Sequence, residues 1–250
     1  MATINVTAPF DGSEIGKVQN SNADDIERAL AKAHALFQNR DCWIPLPERL
    51  DILRRTAEII KERREELALQ AAREGGKPLA DSLLELDRAA DGVENCVEVM
   101  RAEGGEVIPM GINPASMGHA AFTQPEPIGV VVAVSAFNHP FNLIVHQVAP
   151  AVATGCPVIV KPAEVTPLSC FSFVEILYEA GLPKDWAQVV VPENRDLSTK
   201  LVTDPRNALF SFIGSARVGW MLRSQLSPGT RAALEHGGAA PVIVAKDADM

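Results

Sequence analysis

The sequence predicts an α/β fold: a mostly parallel sheet with helices on both faces, preceded by a helical segment and a stretch rich in proline and glycine. Three observations predict it. From residue 128 onward, short apolar β-branched runs alternate with helix-length patterns. The first hundred residues carry helical periodicity instead. Between the two, residues 105–127 hold Pro109, Gly111, Pro114, Gly118, Pro125 and Pro127, which exclude a long helix.

Each element has its own signal. Residues 1–20 read as extended, with Pro9, Asp11-Gly12 and Gly16 as turn signals. Ser21-Asn22-Ala-Asp24-Asp25 starts a helix, because a capping side chain and early acids satisfy its free N–H groups. Ile26, Leu30, Ala33 and Phe37 form its apolar stripe. A second helix is expected from about Pro47 to Ala72, with Leu50, Leu53, Ala57, Ile60 and Leu67 inward and a charged outer face. Gly75-Gly76 breaks it, and a third helix covers residues 79–102. Residues 120–123 suit a strand. Residues 128–134 are a buried strand, 141–152 an all-round apolar crossover helix stopped by Thr154-Gly155, and 158–160 the next strand. A helix over 166–179, strands at 187–191 and 208–212, a helix over 215–226, and strands at 231–235 and 242–245 complete the alternation. The chain divides at 1–113, 114–127 and 128–250.

Bulk properties exclude several functions. A net charge of −9 argues against nucleic-acid binding. No stretch is apolar for long enough to span a bilayer, and the N-terminus shows no signal-peptide pattern. Cys42, Cys96, Cys156 and Cys170 lack metal-ligand spacing and read as reduced, packed thiols of a cytoplasmic protein. No metal is expected.

Strand–helix–strand units of this kind are right-handed, and their ligands bind beyond the carboxyl ends of the strands. Phe137-Asn138-His139-Pro140 follows one such end, and Lys161-Pro-Ala-Glu164 follows the next. Phe212-Ile-Gly214-Ser215-Ala-Arg-Val218-Gly219 spans a strand-to-helix turn whose free N–H groups can hold an anion. Leu234-Glu235-His-Gly237-Gly238 sets a carboxylate beside flexible glycines. On the residues alone, Lys161 and Glu164 are equally a surface lysine and a helix-starting acid. Asn138 is equally a helix cap. His34 and His146 lie within helices and read as structural, while His139 and His236 flank Asn138 and Glu235. There is no G-x-G-x-x-G after residues 128–134 and no P-loop Lys-Ser/Thr.

Those four segments, in that order, resemble the cofactor-binding half of the NAD(P)-dependent aldehyde dehydrogenase superfamily, over essentially the whole chain. The resemblance implies a Rossmann-like domain that lacks the common dinucleotide fingerprint. It implies that Ser135, Ala136, Phe137, Lys161, Glu164, Phe212, Gly214, Ser215, Val218, Gly219 and Gly237 hold NAD, with NADP as the alternative. The Glu164 charge would repel a 2′-phosphate, which favours NAD. It implies catalytic roles for Asn138, as an oxyanion donor, and Glu235, as the base that activates water. The small-molecule partner is an aldehyde, and residues 114–127 become an arm joining copies in a homo-oligomer. The chain departs from the family pattern at Ile213, at residues 191–195 where a glycine-rich turn is common, and at His236 and Ala239.

The reaction also needs a cysteine nucleophile. In the family it follows the glutamate by a few dozen residues, in a separate catalytic domain. Met250 comes fifteen residues after Glu235, and no cysteine follows Cys170. The expectation is therefore a chain holding a cofactor shelf, an oxyanion donor and a base, inactive by itself. Two alternatives stand beside it: a non-catalytic nucleotide-binding scaffold, and a relative that acylates coenzyme A. Glu235 argues against the second, since acylating enzymes commonly lack it. Asn142 and His146 would line one wall of the aldehyde pocket, compatible with a short polar aldehyde.

Overall fold

The computed structural model of the protein describes residues 3–249. Residues 1–2 of the expected extended start, and Met250, lie outside the described residues. An antiparallel pair, β1 (Thr3–Thr7) and β2 (Glu14–Gln19), turns at Asp11-Gly12, where Asp11 Oδ1 accepts the Ser13 N–H at 3.0 Å. Helix α1 (Ala23–Gln38) starts in a capping box. The Asn22 side chain accepts the Asp24 and Asp25 N–H groups, and the Asp25 carboxylate accepts the Asn22 N–H. Ile26, Leu30 and Ala33 of the expected stripe are buried and Phe37 is half-buried.

The single helix expected over residues 47–72 is two helices, α2 (Leu46–Glu62) and α3 (Arg64–Gly75). Arg63 leaves helical angles at φ −102° and ψ 16°. The bend turns Leu67 and Ala68 into the same core as Leu53 and Ile60. Residues 61–66 are all charged and contain neither Pro nor Gly, so the pattern ran on unbroken. Helix α4 (Leu79–Ala102) has the expected limits. A hairpin follows, pairing β3 (Val107–Ile108) with β4 (Ala121–Phe122). It takes in residues on both sides of the 113/114 division, and among the described residues it pairs with no other sheet.

The main sheet has five strands, all parallel: β5 (Val130–Val134), β6 (Val158–Lys161), β7 (Ala187–Val189), β8 (Asn207–Gly214) and β9 (Arg231–His236). Their spatial order is β7-β6-β5-β8-β9. Helices α5 (Asn142–Thr154) and α6 (Leu168–Glu179) cover one face with α2, α3 and α4; α1, α7 (Arg195–Thr203) and α8 (Ala216–Arg223) cover the other. Strand alternation feeds both layers. Val131 and Ala133 of β5 join the first core, and Val130 and Val132 the second. The chain lays down β5, β6 and β7 in one direction, then returns to place β8 on the other side of β5. Strand order therefore reverses between β5 and β8, and a crevice opens beyond their carboxyl ends.

Three differences from expectation have local causes. Lys161 is the last residue of β6, paired with Val134 of β5, and does not follow the strand. Helix α7 was not expected; Asn194 caps it by accepting the Leu197 N–H at 2.9 Å, and Leu201 and Val202 bury its inner side. The strand expected at 242–245 is absent. Val242 and Ile243 are 87% and 91% exposed, and a β-branched run without a neighbouring strand has no ladder to join.

Two buried carboxylates fasten the helical layer to the sheet layer. Glu85 of α4 accepts the N–H groups of Phe141 and Asn142 at 2.9 and 3.0 Å, at the start of α5. Glu74 of α3 accepts those of Leu168 and Ser169, both at 2.8 Å, at the start of α6. Helix starts offer free N–H groups and a positive dipole end, so each carboxylate answers both. Burial lifts the Glu74 carboxyl to about 7, against the opposing pull of its two hydrogen-bond donors. The unfolded chain ionises Glu74 near 4.5. Its stabilisation is thus full below that value and is lost as pH rises through the folded value, where the charge must be buried. Between about pH 5 and about pH 8 this costs wild type about 2–3 kcal/mol that Glu74→Gln does not lose. Urea unfolding of both proteins across that range checks it; parallel pH profiles would refute it.

Candidate active site

The crevice is built from three strand ends. After β5 the chain runs through Ser135, Ala136, Phe137 and Asn138 before α5 begins. The Ser135 N–H is anchored to the Lys161 carbonyl at 3.0 Å, and Ser135 is buried with an unpartnered Oγ. Phe137 and Asn138 are exposed. Past Asn138 the chain is pinned again, by Phe141, which is fully buried edge-on against Phe173.

Lys161 lies beside this loop with its side chain 13% exposed. Its ammonium donates one long bond, to the Pro162 carbonyl at 3.3 Å, and stands 3.8 Å from Glu164 Oε1. Burial holds the ammonium below its usual value, with the Glu164 charge opposing. An ammonium has three N–H donors, so two remain for an outside acceptor. Glu164 is exposed and shares a cleft of about 580 Å³ with Phe137, Thr7 and Thr166.

The third end is the β8–α8 turn. Ser215 is the N-cap of α8, yet its side chain caps nothing, which leaves its hydroxyl free. Two glycines here are required by space. A Cβ on Gly214 would lie 2.7 Å from the Phe212 ring, and one on Gly219 would collide with His236 Nε2 and sit 3.0 Å from Phe212. The structure places Phe212 and Val218 in the packing under α8, with the Phe212 side chain buried. His236 is wedged between Phe212 and Trp220, with ring centroids 6.2 and 5.7 Å away. Gly237 lies beyond β9, exposed.

Glu235 is the penultimate residue of β9, exposed, and faces the α5 side of the sheet. It lines a cleft of about 360 Å³ with His146, Gln147, Ser211, Ala233 and Glu126. His146 lines this cleft; Asn142 is buried at the start of α5 with its Oδ1 unpartnered. The expectation of four packed thiols fails at Cys42, which is exposed on a single helical turn and accepts from the Asn39 side chain at 3.0 Å. Burial pushes the Cys96 thiol up to about 11 and the Cys170 thiol well above its ordinary value. Among the described residues, no group of His, Cys, Asp and Glu is placed to hold a metal, and no helix is long and apolar enough to cross a membrane.

A profile of the aldehyde dehydrogenase family matches residues 1–250. The chain belongs to the aldehyde dehydrogenase family. It is 36% identical over 234 residues to the 3-sulfolactaldehyde dehydrogenase of Priestia aryabhattai, covering 94% of this chain and 48% of that protein. It is 32% identical to the mitochondrial succinate-semialdehyde dehydrogenase of Arabidopsis thaliana, covering 99% and 46%. Aldehyde dehydrogenase 21 of Physcomitrella patens, solved with the product succinate, superposes with a TM-score of 0.90 at 32% identity, covering 96% of this chain and 50% of that one. The glyceraldehyde-3-phosphate dehydrogenase of Bacillus halodurans, solved with NADP, gives 0.89 at 30%, covering 99% and 52%. The chain thus spans about half the length of the curated relatives it matches. Aldehyde dehydrogenases use NAD or NADP, and the spare donors of Lys161, the free Ser215 hydroxyl and the glycine-lined turn suit such a dinucleotide.

In this aldehyde dehydrogenase chain, sequence reasoning missed Glu85, Lys77 and Gln147. Gln147 donates from Nε2 to the Val134 carbonyl at 3.3 Å and to the Ser211 carbonyl at 3.1 Å, tying β5 to β8 at the crevice. The missed signal was a polar residue in phase with an apolar stripe: Glu85 shares the buried side of α4 with Leu86, Ala89 and Val93. The close packing at Gly219 gives a direct test. Gly219→Ala should lower the melting temperature despite alanine's better helix propensity, at a cost of about 1–3 kcal/mol. Adding His236→Ala should restore it. Equal loss in the single and double variants would show that His236 is not the obstacle.

Proposed function

We propose that this chain supplies the cofactor-binding half of an NAD(P)-dependent aldehyde dehydrogenase that oxidises an aldehyde to a carboxylic acid. The observation that carries the reading is the buried, under-partnered ammonium of Lys161 at the strand-order reversal. Lys161 and Glu164 hold the ribose hydroxyls. Ser215 and the free N–H groups of α8 hold the pyrophosphate. Gly214 and Gly219 let that turn approach, Ser135, Ala136 and Phe137 wall the crevice, Phe212 and Val218 support it, and Gly237 leaves room beside Glu235. The bound dinucleotide supplies a hydride acceptor.

Asn138 donates its side-chain amide to the developing oxyanion. Glu235 takes the proton of the attacking water. No cysteine among these residues serves as nucleophile, because Cys96 and Cys170 are held as thiols, Cys156 is buried, and the exposed Cys42 lines neither the Glu164 cleft nor the Glu235 cleft. The 250 residues alone therefore produce no NADH from aldehydes. The substrate is a short polar aldehyde, in keeping with His146 on the Glu235 cleft and with the sulfolactaldehyde and succinate-semialdehyde named for the relatives. The exposed apolar side chains of the 107–122 hairpin, Val107, Ile112 and Phe122 among them, support an arm that joins copies in a homo-oligomer. The location is cytoplasmic.

Calorimetric titration tests the cofactor reading. NAD should bind at least about tenfold more tightly than NADP, because the Glu164 carboxylate meets the 2′-phosphate. Lys161→Ala should weaken both by about tenfold or more, and Glu164→Gln should narrow the difference between them. Binding of neither dinucleotide by the wild-type chain would refute the reading. NADH formation from an aldehyde panel would refute the predicted inactivity.

A further inference from the structure

The loop carrying Asn138 is held from beneath by a charged cluster that has no direct place in the reaction. Glu85 is 1% exposed, yet it is a carboxylate in the middle of the α4 apolar stripe. Its two oxygens do different work. Oε1 accepts the Phe141 and Asn142 N–H groups at 2.9 and 3.0 Å. Oε2 takes the Lys77 ammonium at 2.6 Å. Lys77 Nζ also stands 3.0 Å from His139 Nδ1. An ammonium only donates, so the imidazole nitrogen accepts. His139 is the residue immediately after Asn138, and its own carbonyl accepts the Leu143 N–H at 3.0 Å, opening the α5 ladder.

Among the described residues, one other buried carboxylate caps a helix from a different element. Glu74 caps α6 with one oxygen on each N–H and, among the described residues, has no side-chain cation at hydrogen-bond distance, whereas Glu85 takes both N–H groups on Oε1 and leaves Oε2 to Lys77. Capping an N-terminus therefore does not require a lysine. At Glu85 the lysine serves a second purpose, because it links the carboxylate to the His139 side chain on the reactive loop. Asn138 then sits at an exposed apex between two fixed points: Ser135, bonded to Lys161, and His139, bonded to Lys77.

We infer that Glu85 and Lys77 are positioning residues that hold Asn138 at the crevice through His139. The inference rests on the oxyanion role given to Asn138 under Proposed function, but its central measurement is independent of that role. Glu85→Gln keeps Oε1 as the cap and replaces Oε2 with an amide that cannot accept from Lys77. Lys77→Met removes the link while retaining side-chain bulk, and Lys77→Arg restores a donor.

Amide hydrogen exchange and the Asn138 side-chain amide NMR signal are read on the 250-residue chain. Thermal unfolding confirms that each variant is folded. Exchange over residues 136–142 should quicken by about tenfold or more in Glu85→Gln and Lys77→Met, with the Asn138 amide signal moving toward its free-peptide position. Leu168 and Ser169, capped by Glu74, should keep their protection, and Lys77→Arg should return the loop to near wild-type exchange. Unchanged exchange over 136–142, equal loosening at Leu168 and Ser169, or no rescue by arginine would each overturn the inference. Failure of the wild-type chain to bind NAD or NADP would strike the cofactor reading and leave this result standing.

Discussion

The loops that follow β5 and β6 depend on carboxylates buried at helix starts. The first hundred residues form no part of the parallel sheet, yet they hold it in place. Glu74 and Glu85 reach from α3 and α4 into the N-termini of α6 and α5, the two helices that follow the central strands of the sheet. Apolar packing between the same layers is extensive but non-directional. It presses helices onto a sheet without fixing how far along its axis each helix starts. A carboxylate that must meet two particular N–H groups does fix it, since a shift of one residue leaves a buried charge unsatisfied. The loops after β5 and β6, where Asn138 and Lys161 stand, inherit their placement from those two contacts.

Lys161 shows the opposite economy. A protein that sought only stability would not leave an ammonium buried beside one weak acceptor, because burial without partners opposes the charged form. The exposed Glu164 recovers little of that loss, being 3.8 Å away and open to water. Local departures from good packing of this kind concentrate where a ligand completes the interaction. The unpartnered Ser135 Oγ and the idle Ser215 hydroxyl occur at the ends of the neighbouring strands. With Lys161 they place three polar groups that have hydrogen-bonding capacity to spare around one crevice.

What could be read from the sequence follows from which interactions have a sequence period. Strands 130–134 and 158–161 and the crossover helix announced themselves through apolar pattern and turn residues, and so did the Asn22 cap. The motif segments placed Asn138, Lys161, Ser215 and Glu235 at strand ends for the same reason. The break at Arg63 had no period to betray it, because charged residues run through it without change. The exposed run at 242–245 carried the strand signal but lacked what makes a strand, a neighbour to pair with. Glu85 and Lys77 were hidden because their partners lie more than fifty residues away, and a single sequence does not pair distant residues. The position of Glu85 within the apolar stripe of α4 was the only trace.

The two-residue period of β8 and β9 performs one further division of labour. Ser211 and Glu235 face the α5 side of the sheet, where His146 and Gln147 stand. Phe212 and His236, one residue on in each strand, face α8 and pack with Trp220. The side assigned to proton chemistry and the side that shapes the dinucleotide turn are thus back to back on a shared backbone. A slip of one residue in β9 would exchange them, placing Glu235 under α8 and the His236 ring in the cleft. Gly219 opposes such a slip, because the space it leaves is filled by His236 and Phe212 together. Packing beneath α8 thereby fixes the register that presents Glu235 on the opposite face, so the glycine and the carboxylate act through one strand without touching.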